Sequence, residues 1–214
     1  MKLFSNPSDA PGHFWGEVAP CDHFVQIYED DSIFFDVLEG FVAGGLRAGE
    51  AIVIIATEAH RQALDERLAA QGVDVAQARA CDCYISLDAA ETLAQFMVNG
   101  WPDEQRFRDT ITAILKRAVG DGRQVRAFGE MVALLWAEGH HGATVRLEYL
   151  WHRFCTEEGF SLLCAYPKSG FTRDVNESVR LICDAHSHVV GTAGPVARGV
   201  ASLTELTQRI NSTA

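Results

Sequence analysis

Acidic residues at predicted strand ends are the first candidates for chemistry in this sequence. Tyr28-Glu29-Asp30 follows the first predicted strand, and Glu130 follows the fourth. Carboxylates that meet at one edge of a sheet can share a proton, bind a cation or accept a hydrogen bond from a ligand. Acidic residues also cap helices and complement the positive end of the helix dipole, so a structural role stays open for each of them.

Aromatic residues could form the wall of a pocket beside these carboxylates. Trp136, Trp151 and Tyr166 are the candidates, although aromatic residues at helical spacing belong to a core more often than to a pocket. The ligand-binding residues predicted from the sequence are Tyr28, Glu29, Asp30, Glu130, Trp136, Tyr166, His23 and His186.

Histidines and cysteines near both ends of the chain are candidates for a metal site. They are Cys21 and His23 before the first strand, and Cys183, His186 and His188 after the last long helix. Thiolate and imidazole together suit zinc. Spacing alone does not bring these groups together, because residues two apart on a helix point about 200° apart. We therefore predict no metal site and no cofactor. We expect His23 to lie close to His186 or His188 as a hydrogen-bonded structural pair.

No phosphate-binding loop follows the first predicted strand. Such a loop needs glycines, whose backbone amides wrap the phosphates, and a lysine that neutralises them. The sequence has Glu29, Asp30 and Asp31 there instead, and three carboxylates repel a phosphate at close range. ATP hydrolysis at this position is therefore not expected.

The composition is that of an ordinary globular protein. The 214 residues include 18 Lys and Arg against 29 Asp and Glu, a formal net charge of −11, and 48% are hydrophobic. This acidic balance, without a run of basic residues, argues against nucleic acid or an anionic membrane as a direct partner. The longest apolar runs have about seven residues, whereas a membrane span needs about 20. We expect a cytoplasmic protein whose six cysteines are reduced thiols.

Two hydrophobic periods alternate along the chain, which is typical of an α/β fold. Strands are predicted at Phe24–Tyr28, Ala51–Ala56, Cys83–Leu87, Gln124–Gly129 and Phe160–Tyr166. Helices are predicted over Asp31–Gly49, Thr57–Gly72, Asp103–Val119, Met131–Glu138, Ala143–Glu158 and Val175–His186. A further helix is predicted to start at Asp88, and Pro102 is predicted to lie in the first turn of the helix over Asp103–Val119. Right-handed crossovers then give an open, mostly parallel twisted sheet with helices on both faces.

Three regions are predicted along the chain. Residues 1–20 form an N-terminal extension, residues 21–190 form the α/β domain, and residues 191–214 form a linker and a C-terminal helix. The stretch from Gly191 to Pro195 is predicted to be a flexible break, and Val196–Ile210 to be an amphipathic helix. Ligands of open α/β sheets bind outside the carboxyl ends of the strands, so the predicted binding site lies there.

Five segments together resemble the MEDS domain, the methanogen/methylotroph DcmR-type sensory domain. They are His23-Phe-Val-Gln-Ile-Tyr28-Glu-Asp, the stretch from Gly40 to Thr57, Arg126-Ala-Phe-Gly-Glu130-Met, Leu163-Cys-Ala-Tyr166-Pro and His186-Ser-His188-Val. The resemblance covers residues 21–190. It implies a RecA-like, KaiC-related three-layer sandwich that lacks the nucleotide-binding loop, used as a sensory module and fused in other proteins to histidine kinase, DNA-binding or anti-sigma-type modules. It also implies small-molecule ligands, including hydrocarbon derivatives.

The function predicted from these observations is a non-catalytic sensory or regulatory domain of prokaryotic signal transduction. Its expected partners are a small molecule and a signalling protein such as a histidine kinase or a transcription regulator, and a homo-oligomer is compatible with the sequence. Without a helix-turn-helix signature or room for a kinase, the chain is expected to signal alone or by protein contact. The alternative is an enzyme, either a degenerate RecA-like ATPase or a hydrolase in which Glu130 acts with His23 or His186.

Overall fold

Strands and helices alternate along the chain. The computed structural model describes residues 15, 18–171, 180, 182, 184–191 and 194–195. The strands are β1 (His23–Tyr28), β2 (Ala51–Ala56), β3 (Tyr84–Asp88), β4 (Met97–Val98), β5 (Trp101–Pro102), β6 (Val125–Gly129), β7 (Ser161–Pro167), β8 (His188–Gly191) and β9 (Gly194–Pro195). The helices are α1 (Asp31–Ala48), α2 (Glu58–Ala70), α3 (Val75–Ala80), α4 (Ala89–Ala94), α5 (Glu104–Val119), α6 (Met131–Ala137) and α7 (His141–Glu158).

The described strands form one large sheet and one small hairpin. The large sheet has the order β3-β2-β6-β7-β1-β8-β9. Its first six strands pair in parallel, and β9 pairs antiparallel to β8 at the edge. β4 and β5 form the separate antiparallel pair. The prediction of an α/β fold with an open, mostly parallel sheet is confirmed.

Helices cover both faces of the sheet, and each face has its own hydrophobic core. α1, α2 and α3 contribute to one core, and α4, α5, α6 and α7 contribute to the other. β2 supplies both cores, because Ile52 and Ile54 point to the first and Val53 and Ile55 to the second. All six residues of β2 are buried, which is why this strand reads as a continuous apolar run in the sequence.

The connections that leave two neighbouring strands diverge near the middle of the sheet. α2 follows β2 and packs on one face, whereas α6 follows the adjacent strand β6 and packs on the other. In open α/β sheets this divergence leaves a crevice at the carboxyl ends of the two strands. Here that position is marked by Thr57, which follows β2, and Glu130, which follows β6.

The five predicted strands are all present, with ends that differ by no more than one residue, but the sequence did not reveal the short elements. These are α3, the β4–β5 hairpin and the edge strands β8 and β9. Two-residue strands carry no measurable alternation, so periodicity cannot find them. Within the predicted flexible break, the structure describes Gly191 and Gly194–Pro195, where Gly191 pairs with Gly194 and Val190 pairs with Pro195.

Helix starts follow the predicted chemistry with small shifts in position. Asp88 caps α4 as predicted, accepting hydrogen bonds from the backbone N–H groups of Ala90 and Glu91. The cap of α1 is Asp30 and not Asp31, and the cap of α5 is Asp103. Pro102 therefore lies in β5, ahead of the cap, and not in the first turn of α5.

Two predicted helices lie wholly or partly outside the described residues. Val196–Ile210 lies outside them entirely. Of Val175–His186, the structure describes residues 180, 182 and 184–186, of which 180, 182 and 184 are helical. None of the helices in the described part of the chain combines the length and the apolar character that crossing a bilayer requires.

Cysteines differ from the prediction at one pair. A disulfide joins Cys81 and Cys83, so the expectation that all cysteines are reduced is wrong here. The positive φ of Asp82, 53°, turns the chain so that the two Cα atoms lie 5.3 Å apart, within the range that a disulfide spans. Cys155 and Cys164 are free and buried, as expected.

Candidate functional site

Glu130 is held at the crevice between β2 and β6 by groups from the neighbouring strand end. Its Oε2 accepts a hydrogen bond of 2.8 Å from the backbone N–H of Thr57, and its Oε1 lies 2.8 Å from His60 Nδ1. Thr57 directly follows β2, and His60 lies in the first turn of α2. The topology of the sheet therefore produces a histidine–carboxylate pair at the carboxyl edge, where the sequence predicted a binding site.

Aromatic rings surround this pair on the α1 side. Phe34 stacks on Tyr28 with ring centroids 4.8 Å apart and lies 5.0 Å from the ring of His60. Phe35, which is partly exposed, meets the same imidazole edge-on at 5.5 Å. His60 itself is 20% exposed. The polar pair therefore packs against aromatic rings, of which Phe34 is buried and Phe35 is partly exposed.

The Glu130 carboxylate determines the protonation of its neighbours. By hydrogen bonding and charge it raises the pKa of His60, against the opposing effect of the burial of the imidazole. Burial, reinforced by the charge of Glu130, raises the pKa of Tyr28 to about 12. Tyr28 therefore stays a hydrogen-bond donor at neutral pH, and His60 holds its proton more strongly than a free histidine.

The His60–Glu130 pair should make stability depend on pH. Because the pKa of His60 is higher in the folded than in the unfolded protein, its contribution is fully present below about pH 6.5 and is lost as the pH rises through the folded pKa. We expect wild type to exceed His60→Gln in melting temperature by more at pH 6 than at pH 8, because the stabilising contribution of the protonated imidazole falls as the pH rises. Equal differences at both pH values, or a pH dependence that persists in Glu130→Gln, would contradict this assignment.

Two predicted acidic residues at the same edge make structural contacts. Glu29 is exposed and forms an ion pair with Lys168. Asp30 accepts a hydrogen bond of 2.7 Å from the backbone N–H of Ser32, and hydrogen bonding to Ser32 lowers the pKa of its carboxyl. These contacts are those of a surface pair and a helix cap, the structural alternative that the sequence left open.

The two predicted aromatic residues are buried beside each other. Trp136 donates a hydrogen bond of 2.7 Å from Nε1–H to the carbonyl of Gly170, and its ring lies 6.1 Å from that of Tyr166. Tyr166 is fully buried, and its hydroxyl donates to Oε1 of Glu148. Tyr166 thereby joins a second polar cluster, away from the crevice.

The second cluster lies between the sheet and α7 and is fully buried. It consists of His23 at the start of β1, Cys164 in β7, Glu148 in α7 and His186 just before β8. Val25 is the register partner of Cys164, so His23, two residues earlier, points to the same face. Four elements far apart in sequence thus deliver one thiol, one carboxyl and two imidazoles to one place.

The ligand-type atoms of this cluster are close together. His23 Nε2 lies 3.4 Å from Cys164 Sγ and 3.6 Å from Glu148 Oε2. Glu148 Oε2 also lies 3.6 Å from Cys164 Sγ and 3.3 Å from His186 Nε2. All four atoms lie within 4.8 Å of one another.

Backbone carbonyls orient both imidazoles. Nδ1 of His23 lies 3.1 Å from the carbonyl of Ala185, and Nδ1 of His186 lies 2.6 Å from the carbonyl of Ile182. A carbonyl can only accept, so each Nδ1 carries the proton. In the neutral ring each Nε2 then has a free lone pair, and both lone pairs are on the atoms that approach Glu148.

Burial favours the uncharged form of every group in the cluster. It raises the pKa of Glu148 to about 8 and that of the Cys164 thiol well above its usual value. It lowers the pKa of His186 to about 4 and that of His23 well below its usual value, the latter helped by the nearby His186. Near pH 7 these shifts favour the neutral form of all four groups.

His23 and His186 come from opposite ends of the domain sequence and are neighbours in the structure, as predicted. The ring centroids of His23 and His186 lie 3.9 Å apart. The two rings are hydrogen-bonded to the carbonyls of Ala185 and Ile182 and, through His23 Nε2, to Cys164 Sγ, but not to each other, so they are not the hydrogen-bonded pair that the sequence predicted. His188 instead lies 3.0 Å from Asp22, at the surface.

Sequence reasoning missed Glu148 and His60. A usable signal existed for Glu148, because the spacing of Thr144, Glu148, Trp151 and Cys155 places it on the buried face of α7. A glutamate on such a face needs a partner, which makes it a candidate for a site. His60 gave no comparable signal, because it lies on the polar helix α2 and its partner, Glu130, is 70 positions further along the chain.

The fold and these two clusters define an α/β domain with an open, mostly parallel sheet, a histidine–carboxylate pair at the carboxyl ends of β2 and β6, and a second, buried cluster under α7. The family model described as MEDS, the MEthanogen/methylotroph, DcmR Sensory domain, matches residues 22–182. The chain belongs to this family of sensory domains. No curated protein is similar enough to the chain to count as a match.

Proposed function

We propose that this chain is a non-catalytic sensory domain of cytoplasmic signal transduction that binds a small organic molecule in the crevice between β2 and β6. The observation that carries the proposal is the Glu130–His60 pair, held by Thr57 where the connections of two neighbouring strands diverge. Membership of a sensory-domain family supports the same role.

The surroundings of the pair define the chemistry of the ligand. The partly exposed Phe35 offers an apolar surface beside the buried Phe34, while Glu130 and the partly exposed His60 offer an acceptor and a donor. A small molecule with an apolar body and one hydroxyl, carbonyl or amine group fits this combination. A hydrocarbon derivative, the ligand class implied by the family resemblance, meets that description.

The output is proposed to pass by protein contact to a histidine kinase or a transcription regulator. α1 follows β1 and contributes Phe34 and Phe35 to the crevice, so a ligand there contacts a helix that also covers one face of the sheet. Such a helix can transmit ligand binding to a partner protein if the ligand binds more tightly to one position of the helix than to another.

The test of the proposed function is retention and binding of small molecules by the purified chain. We expect native mass spectrometry to detect a bound organic molecule, and a panel of short alcohols, ketones, aldehydes and halogenated hydrocarbons to contain compounds that raise the melting temperature. Binding should not need nucleotide or magnesium. Micromolar binding of MgATP, with hydrolysis that is lost in Glu130→Gln, would overturn the proposal.

Glu130→Gln should separate binding from stability. Glutamine keeps an oxygen that can accept from Thr57 N–H, so we expect a loss of only about 1 kcal/mol in the free energy of unfolding. Ligand-induced stabilisation should be lost, because the charge beside His60 is gone. Glu138→Gln is the matched control, since Glu138 is exposed at the end of α6, and it should leave both quantities unchanged.

The competing function is acid–base catalysis at the same crevice. A carboxylate and a histidine within hydrogen-bond reach in one cleft are the signature of such a site, and Glu130 with His60 meets it. Glu130 does not meet it with His23 or His186, whose close carboxylate is Glu148. An enzyme would show a turnover of its small-molecule ligand that His60→Ala abolishes while binding persists.

A further inference from the structure

We propose that His23, Glu148, Cys164 and His186 form a buried binding site for a divalent transition metal, with Zn²⁺ as the ion that fits best. The site is separate from the crevice at the carboxyl edge and does not depend on the function proposed for it. It reverses the preference for a structural histidine pair that the sequence alone supported.

The separations between the donor atoms are those of a metal coordination sphere. In a tetrahedral zinc site with bonds of about 2.0 to 2.3 Å, ligand atoms lie about 3.3 to 3.8 Å from one another. The four contacts among His23 Nε2, Cys164 Sγ, Glu148 Oε2 and His186 Nε2 fall between 3.3 and 3.6 Å. The remaining pairs lie within 4.8 Å.

Hydrogen bonding alone explains the same geometry less well. The distances from Glu148 Oε2 to His23 Nε2 and His186 Nε2 are 3.6 and 3.3 Å, longer than an ordinary hydrogen bond of about 2.7 to 3.2 Å, and neither Nε2 carries a proton to donate. His186 Nε2 is buried and forms no hydrogen bond with the part of the chain that the structure describes. A buried nitrogen without a partner costs free energy, and a metal ion would satisfy it.

The outer contacts match those of a protein metal centre. Each imidazole donates its Nδ1–H to a backbone carbonyl, which leaves Nε2 free to coordinate. Tyr166 donates its hydroxyl to Glu148 Oε1, which orients Oε2 toward the other donors. Metal sites characteristically have these contacts, which hold the ligands in place.

The donor set and its charge select the metal. One thiolate and two imidazoles suit zinc and its neighbours and do not suit Mg²⁺ or Ca²⁺, which prefer oxygen. A thiolate and a carboxylate together carry two negative charges, so a divalent ion leaves the buried site neutral. With four protein ligands and side chains of His23, Glu148 and His186 that are fully buried, the site resembles closed structural zinc sites.

An ion at this place would tie together segments that are distant in sequence. His23 begins β1, Cys164 lies in the adjacent β7, Glu148 lies in α7, and His186 directly precedes β8. The metal would therefore attach the residues that lead into β8 to the centre of the domain. Removal of the ion should loosen this lead-in before the rest of the sheet.

The experiment is metal binding by the full chain and by matched cysteine variants. After treatment with a chelator, Zn²⁺ is titrated in competition with a chromophoric chelator, and Co²⁺ is added separately as a spectroscopic probe. We expect wild type to bind one ion per chain and to show a thiolate-to-cobalt charge-transfer band. Cys164→Ser should lose the band and weaken zinc binding by at least about 100-fold. Cys155→Ser, which alters another free buried cysteine, should keep both properties.

A second pair of variants guards against misfolding as an explanation. His186→Ala should weaken zinc binding as Cys164→Ser does, whereas His188→Ala, two residues later and exposed, should bind like wild type. Amide exchange in residues 184–190 should speed up on chelation in wild type and should not respond to chelation in His186→Ala. Folded wild-type protein that takes up neither Zn²⁺ nor Co²⁺, or a Cys155→Ser variant as impaired as Cys164→Ser, would overturn the proposal.

Discussion

Replacing Arg126 by Met should lower the free energy of unfolding by about 3 to 5 kcal/mol, the usual cost of removing one partner of a buried ion pair. Arg126 is 1% exposed and lies in β6, below α1. Its guanidinium binds both carboxylate oxygens of Glu50 and donates to the backbone carbonyls of Trp15 and Phe41. Methionine fills much of the volume but makes none of these hydrogen bonds.

Denaturant unfolding of three variants would test this expectation. Arg117→Met is the matched control, because Arg117 is 55% exposed and its ion pair with Asp82 lies at the surface, where such pairs stabilise weakly. Adding Glu50→Gln to Arg126→Met should recover part of the loss, since the unpaired charge is removed. If Arg126→Met lowered the free energy of unfolding no more than Arg117→Met, the hydrogen bonds and the ion pair of Arg126 would not stabilise the fold beyond the packing of its side chain.

Helix α1 packs closely against the side chain of Arg126. A Cβ on Gly45 of α1 would lie 2.9 Å from Arg126 Cδ and 2.7 Å from Ile52 Cδ1. Trp15, within the predicted N-terminal extension, packs on Gly40 and Gly44 of the same helix. The glycines therefore let α1 approach the sheet closely enough for the carbonyl of Phe41 to reach Arg126.

Leu163→Ala is expected to destabilise the domain by about 2 to 5 kcal/mol through the lost burial and the cavity left behind. Leu163 is fully buried in β7, with Phe24 of β1 and Phe128 of β6 as its register partners. Ile54→Ala in β2 should cost a similar amount, since Ile54 is equally buried. Both side chains belong to the core beneath α1 and α2.

Chemical denaturation with Leu134→Ala as control measures this effect. Leu134 lies in α6 and is only partly buried, so the same substitution there should cost clearly less. Glu130→Gln should also cost less than Leu163→Ala. If the two were equally damaging, Glu130 would be a structural residue, and the proposed ligand site would lose its central carboxylate.

The strands and most helices follow from sequence because their signals are local. β2 and β7 are buried almost throughout and read as continuous apolar runs, and Asp88 caps α4 through groups two and three residues away. The strand ends Tyr28 and Glu130 were located correctly for the same reason. Elements of two residues, such as β4 and β9, contain too little pattern to be found.

The partners at both clusters were decided by the tertiary structure. Glu130 meets His60 because β2 and β6 are adjacent, and His23 meets Glu148 and Cys164 because β1 pairs with β7 under α7. Hydrophobic periodicity and helix-capping residues depend only on the conformation of a few residues that are neighbours in sequence. Strand order and register result from the packing of the whole chain, so the sequence determined which residues end the strands, and only the fold determined which of them meet.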